Sequence, residues 1–250
     1  PTIRFWRLWD GENLVGCGAL KFLEKGHGEF KSIRVADKFR KNGMGEKIIS
    51  HLIDQAKQIG IKKLSIETER MFLRAPIQND FDDWAALRRK SIEFLEPWEP
   101  SWSLDHLSRK NFNNRVYWSK KAIRTQTAIP LFMFQRSSGM FLGAITLDNI
   151  RRGPAQAGTL GYWIGETFSR NGFMKEAIGA LLHYSFDTLD LSRLEAACLP
   201  ENVASRNVLE KSMFKYEGVA QSYLQINGRW RNHVLYACLR DDRRGKTEVR

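Results

Sequence analysis

Apolar and polar side chains alternate in short runs at the start of the chain. "TIRFWRLW" (residues 2–9) has this two-residue period and predicts a strand, and "DGEN" (Asp10 to Asn13) is a hairpin turn signal. "LVGCGALKFL" predicts the next strand. "GEFKSIRVA" predicts a third, where Phe30, Ser32 and Arg34 alternate with Lys31, Ile33 and Val35. The period then changes. Ile48, Ile49, Leu52, Ile53 and Ala56 share one face at a spacing of about 3.6 residues, which predicts a helix that Gly60 ends. "KKLSIET" predicts a last strand. Residues 1–68 thus give three strands, a helix and one more strand, a unit that leaves a sheet edge and a face uncovered.

A longer series begins at "ERMFLRAP" (Glu69 to Pro76). "NDFDDWAALRRKSIEFL" has capping residues and then a helical period through Phe81, Trp84, Ala85, Leu87 and Arg88. "EPWEPSW" (Glu96 to Trp102) is an aromatic loop broken by proline. "SLDHLSRKNFNNRVYWSKKAIR" predicts a second helix, capped by Ser103. "IPLFMFQR", "MFLGAITLDNI" and "AQAGTLGYWIGE" predict three strands. A helix follows over Lys175 to Leu189, then the strand "RLEAACL" and a helix opened by Asn202. A hairpin turning at Asn227-Gly228 closes the series, and residues 241–250 form a polar tail.

One short device occurs twice. "FRKNGMGEKII" (Phe39 to Ile49) and "FSRNGFMKEAI" (Phe168 to Ile178) each join a predicted strand to a predicted helix through a basic residue, a polar residue and glycine. Glycine lets the backbone turn sharply and approach a ligand closely. The free N–H groups and positive end of a helix favour a phosphate there. An ordinary strand-to-helix connection accounts for one such turn. Two in the same local context point to phosphate binding.

Composition narrows the chemistry. Hydrophobic residues make up 42% and aromatic residues 12%, which supports a core, and no apolar run nears the ~20 residues of a membrane span. "PTIRFWRLWDGEN" does not read as a signal peptide. Cys17, Cys198 and Cys238 lie far apart, and the histidines form no H-x-x-H motif, so neither a disulfide framework nor a metal site is expected. That cysteine usage suits a reducing, cytoplasmic compartment. The net charge of +12 fits attraction to nucleic acid, a ribonucleoprotein or an anionic cofactor, and equally a solvated basic surface.

The residues resemble the GNAT superfamily of acetyl-CoA-dependent N-acetyltransferases. "RKNGMG" (Arg40 to Gly45) fits its pyrophosphate motif fully, and "SRNGFM" (Ser169 to Met174) fits at the central glycine. "GYWIGETFSRNGFMKEA", "RLEAACLPENVASRNVLEKSMF" and "YLQINGRWRNHVLYACL" look like RimJ-type ribosomal-protein-alanine N-acetyltransferases, a resemblance covering about residues 70–239. Residues 1–68 resemble only the middle of another such domain. The resemblance implies an α/β (α+β) fold with a mixed sheet, splayed fourth and fifth strands and flanking helices. It divides the chain into a partial unit (1–68), a complete domain (69–240) and the tail.

The resemblance also implies sites. The acetyl-pantetheine arm would run along Gly161 to Ile164, including Tyr162 and Trp163, and contact Asn202. The pyrophosphate would sit on the N–H groups of Arg170, Asn171, Gly172, Phe173 and Met174. Glu195 would take the amine proton, or else be a salt-bridged strand residue. Leu209 stands where many relatives place a tyrosine acid, which leaves Ser205 near the sulfur. Trp98, Glu99 and Trp102 would line an acceptor slot, with Glu96 or Glu99 attracting the ammonium, or simply pin a loop. Met213-Phe214 replaces the family's Gly-Phe, so the turn differs or carries strain of about 1 kcal/mol. The implied activity is acetylation of a ribosomal protein's N-terminal amine, with alanine foremost, at or near the ribosome and its RNA. Acetylation of a small amine and non-catalytic RNA binding are the alternatives. No metal and no membrane partner is expected.

Overall fold

The computed structural model describes residues 3–22, 27–39, 44–58 and 63–241. Arg40 to Gly43 of the first glycine turn, the Gly60 helix stop and residues 242–250 lie outside the described residues. Alternation produces the expected strands. β1 (Ile3–Asp10) and β2 (Asn13–Phe22) pair antiparallel around Gly11, and β2 pairs antiparallel with β3 (His27–Val35). α1 (Met44–Gln58) then crosses to β4 (Lys63–Glu67), which lies parallel to β3.

The longer series repeats this plan. β5 (Met71–Arg74), β6 (Ile129–Gln135), β7 (Phe141–Arg151) and β8 (Ala157–Ile164) form an antiparallel run. α5 (Phe173–His183) crosses to β9 (Arg193–Cys198), parallel to β8. α6 (Val203–Glu210) leads to the hairpin of β10 (Lys215–Ile226) and β11 (Arg229–Leu239). β11 pairs with β9, so β10 is the outer strand at that edge. Asn227 and Gly228 both have positive φ, +44° and +74°, as a tight hairpin turn requires.

The two series form one sheet. β4 pairs antiparallel with β5 from Ser65–Arg74 to Glu67–Phe72, which closes the edge that residues 1–68 would leave open and makes an 11-stranded sheet. The core is shared as well. Leu20, Ile33, Val35, Ile48, Leu52 and Ala56 join one buried cluster with Leu142, Ile145, Ile178, Leu189 and Leu191. α5 runs on into a π turn (Tyr184–Thr188) that packs against α1 and β3. There Gly45 is a packing residue: a Cβ on it would lie 2.5 Å from the Thr188 carbonyl oxygen. The missing side chain lets α1 approach the π turn.

On the other face, α2 (Phe81–Lys90) and α4 (Arg109–Thr125) lie over β6–β8 around Trp84, Phe112, Phe132, Phe134 and Phe141. Two helix boundaries differ from expectation. Ser103 does not cap α4; its hydroxyl bonds Asp105 (2.8 Å), and Ser108 is the cap, accepting from the Asn111 N–H (3.2 Å). The single helix expected through Leu95 breaks at Ser91, beyond which α3 (Ile92–Leu95) is a separate turn. The Ser91 hydroxyl instead accepts from the Glu166 N–H at 3.1 Å, tying this break to the segment after β8.

Candidate active site

The parallel strands β8 and β9 pair only from Ala157–Arg193 to Leu160–Ala196. Beyond Gly161 and Ala197 they separate, and β9 keeps only its β11 partner. The β9-facing main chain of Gly161 to Ile164 is therefore free to bond a ligand. This is the splay that the sequence resemblance implies, and it opens where the pantetheine arm is expected.

At the end of the splayed strand comes the glycine turn. Gly172 is the N-terminal cap of α5 at φ +80°, a left-handed conformation that favours glycine, and Arg170 is at φ +61°. The helix finds its first carbonyl only at Glu176, whose N–H bonds the Gly172 oxygen (3.1 Å). Among the described residues, the N–H groups of Phe173, Met174 and Lys175 have no backbone acceptor. They form an anion cradle with the helix dipole behind it.

The sequence did not point to Arg70. This residue opens the segment after the β4–β5 junction, yet its guanidinium reaches the turn. Nη1 donates to the Asn171 carbonyl (2.9 Å), Nε donates to Glu176 (2.7 Å), and the group lies 4.7 Å over the Phe173 ring. Nη2 is the atom nearest to the open side of Gly172, 3.2 Å from where a Cβ would be. Glycine thus keeps free the space beside a cation, an arrangement suited to a pyrophosphate. Burial pushes the Glu176 carboxyl up, but hydrogen bonds from Thr68 and from Arg70 outweigh it and hold the group below its ordinary range.

Across the splay, Tyr162 on β8 meets Ser205 on α6, with hydroxyls 2.8 Å apart. Burial pushes the Tyr162 phenol well up, against the Ser205 hydrogen bond, so it stays protonated at neutral pH. Cys198 is buried beside the pair; burial raises its thiol, with Ser205 and Arg206 pulling the other way. Asn202 caps α6 by accepting from the Ser205 N–H (3.0 Å), which fixes Ser205 in the first turn. Leu209 is buried in the core. The hydroxyl nearest to Ser205 among the described residues is that of Tyr162, from β8. Met213 takes φ +69°, so this domain carries the left-handed strain that glycine would avoid.

The expected acceptor residues are placed differently. Both Glu99 oxygens are taken, by Arg88 (2.8 and 2.5 Å) and by Trp102 Nε1 (2.9 Å), leaving no free carboxylate for an incoming ammonium. The Arg88 guanidinium lies between Trp102 (4.2 Å) and Trp163 (4.6 Å), and Trp102 stacks on His106. Glu99 and Trp102 therefore brace a part-buried network around Arg88, and none of Trp98, Glu99 and Trp102 lines the large cavity at the splay. Glu195 also has partners. Its carboxylate is held by Arg151 on β7 and by Arg193 (2.9 Å), and Arg193 in turn bonds Glu217. Its face alternates as expected, with Leu194, Ala196 and Cys198 buried, but the group is the salt-bridged strand residue of the two readings.

The cavity itself measures about 940 Å³ and lies between α4 and the strands β6–β8. Its floor includes Thr146, Asp148, Thr159, Gly161 and Trp163, and its rim includes Trp118, Tyr223 and Leu224. Among the described residues no group of His, Cys, Asp or Glu could hold a metal, and no helix is long and apolar enough to cross a membrane.

A mixed sheet that splays beyond a parallel pair, with a glycine turn and a bare helix N-terminus at the end of the splay, defines a coenzyme A-dependent acyltransferase class. The Acetyltransferase (GNAT) domain matches residues 70–215, and the Acetyltransferase (GNAT) family matches residues 1–75. The chain belongs to the GNAT acetyltransferase family, and it is an acetyl-CoA-dependent acetyltransferase. It is 30% identical over 184 residues to the ribosomal protein uS5-alanine N-acetyltransferase of Escherichia coli (strain K12), covering 73% of this chain and 94% of that one. The crystal structure of ribosomal-protein-S5-alanine acetyltransferase from Vibrio fischeri is similar at a TM-score of 0.67 and 28% identity, covering 71% of this chain and 97% of that one. Mycobacterium smegmatis RimJ in complex with CoA-disulfide is similar at a TM-score of 0.64 and 29% identity, covering 68% and 82%.

Proposed function

We propose that this enzyme transfers acetyl from acetyl-CoA to the N-terminal amine, alanine foremost, of a ribosomal protein in the cytoplasm. The observation that carries this is the continuity of splay and cavity: Gly161, Tyr162 and Trp163 border both, so a chain end entering beside α4 reaches the main chain where the thioester would lie. The names of its relatives support a ribosomal-protein acceptor.

In this reading Arg170 to Met174 and Arg70 hold the pyrophosphate, and the main chain of Gly161 to Ile164 and Asn202 hold the arm. The amine nitrogen attacks the thioester carbon, the carbon–sulfur bond breaks, and the sulfur takes a proton as the amine gives one up. Main-chain N–H groups of β8 stabilise the oxyanion. Ser205, backed by the Tyr162 phenol, donates to the leaving sulfur. Glu195 has no part in proton transfer, because Arg151 and Arg193 hold it. Residues 1–68 form a partial unit of the same family that serves the domain at 69–240 by closing its sheet edge and covering the π turn.

The test is acetyl-CoA consumption with an Ala-initiated peptide, with a polyamine and with no acceptor. Peptide-dependent turnover supports the reading. Turnover with the polyamine alone makes this a small-amine enzyme, and salt-sensitive RNA binding without turnover makes it a non-catalytic module.

A further inference from the structure

Among the described residues, the wall of the cavity at the splay holds two side chains charged at neutral pH, Asp148 and Arg115, besides His106. Asp148 is on β7 opposite Thr159 of β8, which in turn pairs with Glu195 of β9. The row lies two residues before the splay opens at Gly161, so Asp148 stands beside the reaction point. Its carboxylate is exposed and accepts one hydrogen bond, from the Asn149 N–H (2.7 Å). It has no ion-pair partner among the described residues. This contrasts with its neighbour Glu195, which two arginines hold.

Arg115 belongs to the opposite wall, on α4. Its guanidinium lies 5.4 Å from the Trp84 ring, and the residue is exposed, with no ion-pair partner among the described residues. The nearby Arg88 is neutralised by its two-pronged bond to Glu99, so the net charge of this wall is that of Arg115. His106 adds none: burial and the charges of Arg88 and Arg115 push its pKa down. Burial and the charge of Arg88 pull the Arg115 guanidinium down from its ordinary range, with Glu99 acting the other way, but an arginine side chain starts so far above neutrality that it stays protonated. A cavity with an unpaired anion beside the reacting centre and an unpaired cation on the far wall is complementary to a ligand with the reverse polarity. Trp118, Tyr223 and Leu224 give it an apolar rim, which suits a peptide rather than a free ion.

We propose that this cavity selects acidic N-termini: Asp148 receives the α-ammonium, and Arg115 receives a carboxylate side chain in the residues just after it. The inference rests on the peptide-acetylating reading and narrows it.

The experiment uses the full chain and three Ala-initiated peptides that carry Glu, Gln or Lys at the second and third positions. Initial rates at sub-saturating peptide and saturating acetyl-CoA give kcat/KM, and calorimetry with CoA present gives peptide affinity. The Glu peptide should exceed the Gln peptide by about tenfold, the scale of one charge-assisted contact, with the Lys peptide lower still. Arg115→Gln should remove the Glu-over-Gln difference. Arg115→Glu should invert the order in favour of Lys, an outcome that misfolding cannot produce. Asp148→Asn should raise KM for all three peptides alike. Equal rates on all three peptides, or a Glu preference that survives Arg115→Gln, would overturn the proposal. If no peptide turns over but the Glu peptide binds and Arg115→Gln abolishes that binding, the slot stands and the acetylation reading falls. With neither turnover nor binding, both fall.

Discussion

Arg70→Ala should weaken coenzyme A binding by about tenfold. A phosphate oxygen seated over the bare side of Gly172 would lie roughly 5 Å from the Arg70 charge, where two unit charges interact by about 0.8 kcal/mol in water and about 3 kcal/mol at an effective dielectric of 20. The Arg70 side chain is 44% exposed, so solvent and salt hold the value toward the lower end, about 1–2 kcal/mol. A second effect has the same sign. Glu176, in the first turn of α5, is bonded by both the Arg70 guanidinium and the Arg70 N–H, and losing the guanidinium turns its carboxylate into a repulsive neighbour of the phosphate. Calorimetry with CoA on Arg70→Ala, Glu176→Gln and the double variant separates the two effects. If the cation itself matters, the double variant stays several-fold weaker than Glu176→Gln alone. Arg70→Lys should recover part of the loss, since it keeps the charge and loses the fork that spans Asn171 and Glu176. The weakening should shrink as salt rises. An Arg70→Ala variant that folds and binds CoA with unchanged affinity at low salt would refute the assignment of this cation to the cradle.

Three further outcomes follow from the same geometry. Glu195→Gln should change turnover by less than about threefold, because an ion-paired carboxylate is not the proton acceptor; a loss of ~10²-fold with an altered pH profile would return it to the mechanism. Ser205→Ala should lower kcat by about tenfold or more while CoA affinity holds, and Tyr162→Phe should do the same more weakly; stopped-flow rates of thiol release in both variants decide this, and parental rates would remove the hydroxyl pair. Deleting residues 1–68 should leave peptide acetylation within about tenfold of the full chain but lower the melting temperature by at least about 5 °C, since the π turn and the edge of β5 lose their cover. A truncated chain that melts with the parent but has no activity would show that the N-terminal unit takes part in the chemistry.

Most of the fold was legible because periodicity is a local signal. The strand alternation, the helical face of α5 and the Asn202 and Asn227-Gly228 signals each depend on residues within one element. The misread features depend on partners that lie in other elements of the fold. Glu99 looks like a free loop carboxylate until the fold brings Arg88 to it, and Glu195 looks like a base until Arg151 arrives from β7. Ser91 breaks its helix in favour of a bond to Glu166, and Arg70 reaches a turn 101 residues away. None of these pairings leaves a pattern in a short window. The left-handed glycine and the bare helix end at Gly172 were readable because they are local physics, whereas the cation beside them was not.

The joining of β4 to β5 also fixes how the two strand-to-helix crossings are oriented. Four antiparallel steps and one parallel step separate β3 from β8, so the two strands run in the same sense and end at the same end of the sheet. A sheet rotates by roughly 20–25° per strand, and five steps accumulate to about 100–125°. The strands β3 and β8 therefore point a little more than a right angle apart, like adjacent blades on a propeller shaft. One continuous sheet thus carries two strand-to-helix crossings, and the first of them, with Gly45 of α1 set against the π turn, braces the helix that leads out of the second.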